Sequence, residues 1–181
     1  MALDDSEKPE ASVEATLRMA DVYAAAAREL LAPGRRSDPL AQAPGRLLAL
    51  HATELYLSAW LRRAGESGRQ VRARQHDLAG RAQTALALGL GLRRRTACHL
   101  ARASDLREYL VVRYDPDGLG ALSRVNRLLA TLEEVAHKVR ATPAPRPSAA
   151  RPRHAPGPPP LPAWQAPAAR PPASHAALPP A

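Results

Sequence analysis

From Arg46 to Arg63 the chain reads RLLALHATELYLSAWLRR, with apolar residues distributed around most of a helical circumference. That pattern predicts the central helix of a bundle rather than a surface helix, which would keep one broad polar face. Leu48, Ala52, Leu55 and Ala59 form one stripe, and Leu47, Leu50, Leu57, Trp60 and Leu61 widen it. The polar residues His51, Glu54, Ser58 and Arg62 follow at spacings of three, four and four, so they share one narrow seam. Such a seam is either a solvated strip or a row of polar groups that neighbouring elements must satisfy.

The flanking segments supply the neighbours. Val13, Leu17, Ala20, Ala24, Ala27 and Leu31 recur with helical spacing and stop before Pro33-Gly34. The stretch from Pro33 to Gly45 holds three prolines and two glycines and reads as a loop leading into the central helix. After a break at Ala64 to Gly68, an Arg-rich segment up to Gln75 reads as a loop or short helical turn. His76 or Asp77 then caps a third helix with Leu78, Ala82, Ala85 and Leu86 inward, ended by Gly89-Leu90-Gly91. A fourth helix is expected from about Arg95 to Val112, with Leu100, Ala103, Leu106 and Leu110 toward the core. Asp115-Pro116-Asp117-Gly118 is a turn, and Leu122, Val125, Leu129, Leu132, Ala136 and Val139 define a fifth helix. The pattern predicts an all-α fold, a five-helix up-and-down bundle over residues 13–141.

Composition sharpens this. Of the 19 prolines, 14 fall in residues 142–181, a segment without a single acidic residue. Pro, Ala and Arg at that density lack the apolar side chains that offset the entropy of ordering, so a disordered proline-rich tail with polyproline II character is expected there. Its Pro156-x-x-Pro159 and Pro159-x-x-Pro162 are grooves' ligands in form, and a positive tether is the simpler role. Residues 1–12 read as a flexible acidic arm. The chain has no Phe and is rich in Leu and Ala, a helix-forming composition that a GC-rich bacterial genome also encodes.

The formal charge is +9. Between Arg62 and Arg107 stand eleven arginines against Glu66, Asp77 and Asp105, a bias that attracts RNA, DNA or an acidic protein surface unless it is only a solvated face. Cys98 is the only cysteine, which excludes an intramolecular disulfide and a Cys-based zinc site. The histidines are scattered, so no metal and no cofactor is expected, and Gly89-Leu90-Gly91 is a helix terminator rather than a phosphate loop. With no leader-like apolar run and no membrane span, a soluble cytoplasmic protein without membrane contact is expected. Along the fourth helix Arg95, His99, Arg102, Leu106, Tyr109 and Arg113 alternate by four and three, a basic and aromatic stripe on which an anion or partner can lie.

His51-Ala52-Thr53-Glu54-Leu55-Tyr56-Leu57, Leu61, His76-Asp77-Leu78, Ala85-Leu86-Ala87-Leu88-Gly89-Leu90, and finally Tyr109, Arg113 and Tyr114 resemble one branch of the HEPN superfamily. The name abbreviates "higher eukaryotes and prokaryotes nucleotide-binding". The likeness spans roughly Val13 to Arg140, with Ser58 where that branch carries a lysine. It implies a helical bundle, usually a homodimer, associated with RNA or nucleotides. Some members of that superfamily are metal-independent endoribonucleases of toxin-antitoxin type, paired with a nucleotidyltransferase antitoxin. Those use an Arg-x(4 to 6)-His motif, the Arg stabilising the scissile phosphate and the His moving a proton at the 2′-hydroxyl.

Arg94-x4-His99 has that spacing, but so do Arg93-x5-His99, Arg46-x4-His51, Arg69-x6-His76 and Arg170-x4-His175, so an Arg-rich chain produces it by accident. The second candidate cluster is the seam of His51, Glu54 and Tyr114, where Glu54 is expected to pair with Arg113 if the end of helix four meets the central helix, and His76 is a further candidate binding residue. Three functions follow: a non-catalytic HEPN-like domain that binds RNA, a nucleotide or a partner; an endoribonuclease using Arg94 and His99; and a structural helper of a neighbouring protein.

Overall fold

The computed structural model describes residues 11–32 and 38–143. The expected acidic arm, apart from its last two residues, and the expected tail from residue 144 onward lie outside the described residues. The fold is all-α: among the described residues there are seven α-helices, one 3-10 helix and no strand.

Ser12 accepts from the Ala15 amide and opens α1 (Val13–Leu30). The central helix, α2 (Pro39–Arg63), starts seven residues before Arg46, inside the stretch expected to be a loop. Asp38 caps it through the Leu40 and Ala41 amides, and Pro39 occupies the first turn, where a missing N–H costs nothing. Pro44 lies within the helix but on its exposed side, so the carbonyl it leaves unpaired can reach water. Gly45 is needed for a different reason. A Cβ there would sit 2.7 Å from Leu31 Cγ, so glycine lets the end of α1 close against the start of α2. Alanines continue that close approach: Ala20, Ala24 and Ala27 on α1 and Ala49, Ala52 and Ala59 on α2 are all fully buried.

Ser67 and Gln70 form a capping box on α3 (Gly68–Ala73), so the Arg-rich segment holds a short helix. Asp77, not His76, caps α4 (Leu78–Ala87) at the Gly80 amide. Gly89, at φ 94°, turns the chain out of that helix. The expected fourth helix is two: α5 (Arg94–Asp105) and α6 (Glu108–Tyr114). The break is Arg107, at φ 49°. On either side of it Leu106 and Leu110 turn outward, 39% and 43% exposed, instead of facing the core. A 3-10 helix (Asp117–Ala121) leads to α7 (Val125–Ala141).

α2 packs against α1, α3, α4, α6 and α7. No residue from Arg46 to Arg63 is fully exposed. The seam is therefore not a solvated strip. Leu47, Leu48 and Leu55 are the peripheral members of the apolar set, and Leu57, Trp60 and Leu61, with Tyr56, form the buried centre. α1 runs antiparallel to α2, whereas α7 runs parallel to it. Arg46 near the start of α2 donates to Ser123 O at 2.7 Å, and Arg63 at its end donates to Val139 O and Thr142 O. Tyr56 joins three helices: its hydroxyl donates to Asp21 of α1 at 2.6 Å, and Arg140 of α7 reaches the same carboxylate. Burial, with the Asp21 carboxylate beside it, pushes the Tyr56 phenol up to about 12. No helix among the described residues is long and apolar enough to cross a membrane.

Candidate functional site

Glu54 emerges from the seam of α2 toward the turn between α3 and α4. One of its oxygens accepts from Arg81 at 3.1 Å and the other meets His76 Nδ1 at 3.0 Å. Arg81 is only 2% exposed, and it also donates to the carbonyls of Val71, at 3.0 Å, and Gln75. Burial pulls its pKa down, and the Glu54 carboxylate works against that pull. A buried guanidinium with three oxygen partners fixes the α3–α4 turn onto the central helix. Glu54 pairs with Arg81 rather than with the expected Arg113, because α4, not α6, brings a cation to this part of the seam.

The rest of the expected constellation lies beside it. His76 stacks on Tyr109 of α6, ring centroids 3.7 Å apart and 22° between planes. Arg113 lies 5.0 Å from the Tyr109 centroid and 4.8 Å from that of Tyr114, and it donates to Tyr109 Oη at 2.9 Å. The order Glu54, His76, Tyr109, Arg113, Tyr114 is thus a continuous series of planar groups running from the buried seam to the surface, where Tyr114 is 68% exposed. Only the chain fold explains this juxtaposition, since His76 and Tyr109 are far apart in sequence. His51 is half-buried and meets Tyr23 edge to face at 4.7 Å. Burial holds its pKa below the usual histidine value, opposed by Glu54 and assisted by His76.

An open cleft of about 360 Å³ lies against this series, between the α3–α4 turn and the α5–α6 break. Leu78, Ala103, Ser104 and Leu110 line it together with His76, Asp77, Tyr109, Arg74 and Arg107, the Asp77 carboxylate being engaged by the Gly80 amide. Gln75 and Arg107, the non-glycine residues with positive φ among those described, both border it. A left-handed backbone at such residues costs of order 1 kcal/mol or more, which the surrounding packing must hold in place. Sequence periodicity does not reveal this cleft: it depends on the break at Arg107.

The second histidine cluster has another character. His99 on α5 is 6% exposed, and its Nδ1 meets Thr131 Oγ1 of α7 at 2.8 Å. Arg127 donates to Thr96 and Thr131 hydroxyls at 3.1 and 3.0 Å, and Thr96 donates to Glu134 at 2.8 Å. His99 Nε2 is buried and has no hydrogen-bond partner. Burial lowers the His99 pKa, with Glu108 opposing and Arg127 and Arg102 assisting. Arg94 is exposed at the start of α5, as are Arg95 and Arg102. The stripe expected along one helix is therefore split: His99 faces inward between α5 and α7, while Tyr109 and Arg113 belong to α6.

A third polar group was not anticipated from the sequence. Glu108 is fully buried and accepts from the Ser123 amide at 3.0 Å and hydroxyl at 3.1 Å, and Arg46 binds the carbonyl of the same Ser123. It anchors α6 and the entry to α7 against α2. Its only sequence signal is a carboxylate at the first position of a helix that periodicity did not separate.

Among the described residues no group of three or more His, Cys, Asp or Glu is placed to hold a metal ion. In comparisons with known proteins, no family model, no curated protein and no solved structure matches this chain.

Proposed function

We propose that this chain is a HEPN-like helical domain that acts by binding RNA or a nucleotide, without catalysing its cleavage. The observation that supports this most directly is the surface series of His76, Tyr109, Arg113 and Tyr114, which joins the arginine-rich stretch from Arg62 to Arg107 to the residues that follow it. Aromatic rings and guanidinium planes supply stacking faces, and unpaired arginines supply phosphate contacts. The Arg94 and His99 pair favours binding over cleavage in this reading. A proton-transferring imidazole must reach the 2′-hydroxyl, and both nitrogens of His99 are enclosed between α5 and α7.

The test is equilibrium binding of a mixed RNA pool to the full chain in chelator, with the RNA recovered and sized afterwards. The expected result is retention of intact RNA, weakening at least about tenfold from roughly 50 to roughly 200 mM salt as counterions compete. Salt-independent or absent retention removes the RNA reading. Shortened RNA replaces it with the endoribonuclease reading.

A further inference from the structure

We propose that the cleft between the α3–α4 turn and the α5–α6 break seats one unpaired nucleobase of a single strand, with Arg107 at its lip on a neighbouring phosphate. This rests on the RNA reading above and deepens it by naming the site and the form of the ligand. At about 360 Å³ the cleft falls in the lower part of the range of small-molecule sites, roughly 300–1,000 Å³. Its apolar surfaces are Leu78, Ala103 and Leu110, and its planar groups are the His76 and Tyr109 rings, which cover one face of each other and leave the outer side of the stack for a further ring. A planar, mostly apolar group with polar edges matches those walls.

The platform is preformed. His76 is held between the Glu54 carboxylate and the Tyr109 ring, and Glu54 is itself held by the buried Arg81, so little freedom remains to be lost when a base stacks there. The cations around the cleft divide by engagement. Arg74 is neutralised by Glu66 at 2.5 and 2.8 Å, and Arg113 is occupied by two tyrosine rings. The Arg107 side chain is exposed and makes no ion pair or hydrogen bond among the described residues. It is the group left to meet a phosphate. A base within a duplex cannot enter such a concavity, whereas a strand with splayed bases can, so the shape selects single strands.

The experiment uses the full chain and an oligouridylate carrying a single 2-aminopurine, read by fluorescence and anisotropy. A duplex RNA of equal length and poly-glutamate serve as competitors. The variants are Arg107→Ala, Tyr109→Leu checked by circular dichroism, and Arg95→Ala as an exposed arginine outside the cleft. The expected result is a change in reporter emission on binding and a single strand held at least about tenfold tighter than the duplex. Arg107→Ala and Tyr109→Leu should each weaken binding about tenfold, and Arg95→Ala by less than about threefold. Equal affinity for duplex and single strand, or equal losses for Arg107→Ala and Arg95→Ala, would overturn the cleft assignment while leaving salt-dependent RNA binding intact. Displacement by poly-glutamate at concentrations matching the oligonucleotide would reassign the cleft to an acidic protein segment. No retention of any RNA would remove both this inference and the reading beneath it.

Discussion

Two histidine clusters built from the same residue types end in opposite environments. Around His76, the carboxylate of Glu54 joins a buried guanidinium to a half-exposed imidazole, and the polar series continues outward to solvent at Tyr114. Around His99, Thr131 of α7 meets one ring nitrogen and is itself tied to Arg127, which also binds the Thr96 hydroxyl that donates to Glu134, while the other ring nitrogen is buried without a partner. Both histidines follow an arginine at the spacing associated with RNA cleavage, yet the cleft beside Tyr109 is lined by the first and not by the second. Residue spacing along a helix therefore says little about chemistry until the neighbouring helices determine which face is enclosed.

The contrast breaks most sharply at Glu54. Glu54→Ala leaves Arg81 buried without its counter-charge, and a loss of about 3 kcal/mol is expected in urea denaturation. A loss below about 1 kcal/mol would show that the Val71 and Gln75 carbonyls alone suffice for Arg81. His99→Ala comes next. It removes a packed ring and its Thr131 bond, with an expected cost of about 2 kcal/mol, and RNA should remain as intact with the variant as with the parent. Cleavage by the parent that disappears in a still-folded variant would reverse the assignment of the two clusters.

A smaller effect is expected from pH. Burial depresses the pKa of His51 and of His99, so below about pH 6.5 the unfolded chain binds protons that the folded chain refuses. Stability should fall as the pH drops through that value and level off once the folded-state values are passed. Thermal unfolding at about pH 7.5 and about pH 5 checks the sign, and His99→Gln should flatten the profile. A profile that the variant leaves unchanged would place the titration elsewhere. The smallest effect belongs to Arg107→Gly. Relief of the left-handed backbone should raise stability by about 0.5 kcal/mol, even as the cation at the cleft is lost. A decrease in the unfolding midpoint would mean that the Arg107 side chain supports the α5–α6 break.

Parts of this arrangement were legible beforehand. The enclosed character of α2, the start of α4 at the His76-Asp77-Leu78 tripeptide, and the apolar repeat of α7 all follow from periodicity and capping chemistry. A meeting of His51, Glu54, Arg113 and Tyr114 was expected, with Arg113 as the partner of Glu54, whereas the stacking of His76 on Tyr109 and the pairing of Glu54 with Arg81 were not. The early start of α2 was obscured by Pro39, Pro44 and Gly45, each a breaker by composition. Here Pro39 occupies a first turn, Pro44 faces solvent, and Gly45 accommodates Leu31. The split between α5 and α6 had no local signal, because Leu106 and Arg107 are ordinary helix formers.

The sequence by itself determined an all-helical core built on Leu and Ala, with a central helix and an excess of arginine. These are properties of side-chain type and of the 3.6-residue period, which act locally and leave their mark on the chain. Only the tertiary structure decided that the seam of α2 is enclosed, that Arg81 meets Glu54, that His99 faces inward and that a cleft opens beside Tyr109. Each of those depends on the direction of a neighbouring helix: the cleft turns on the left-handed backbone at Arg107, and the others on contacts between residues distant in sequence.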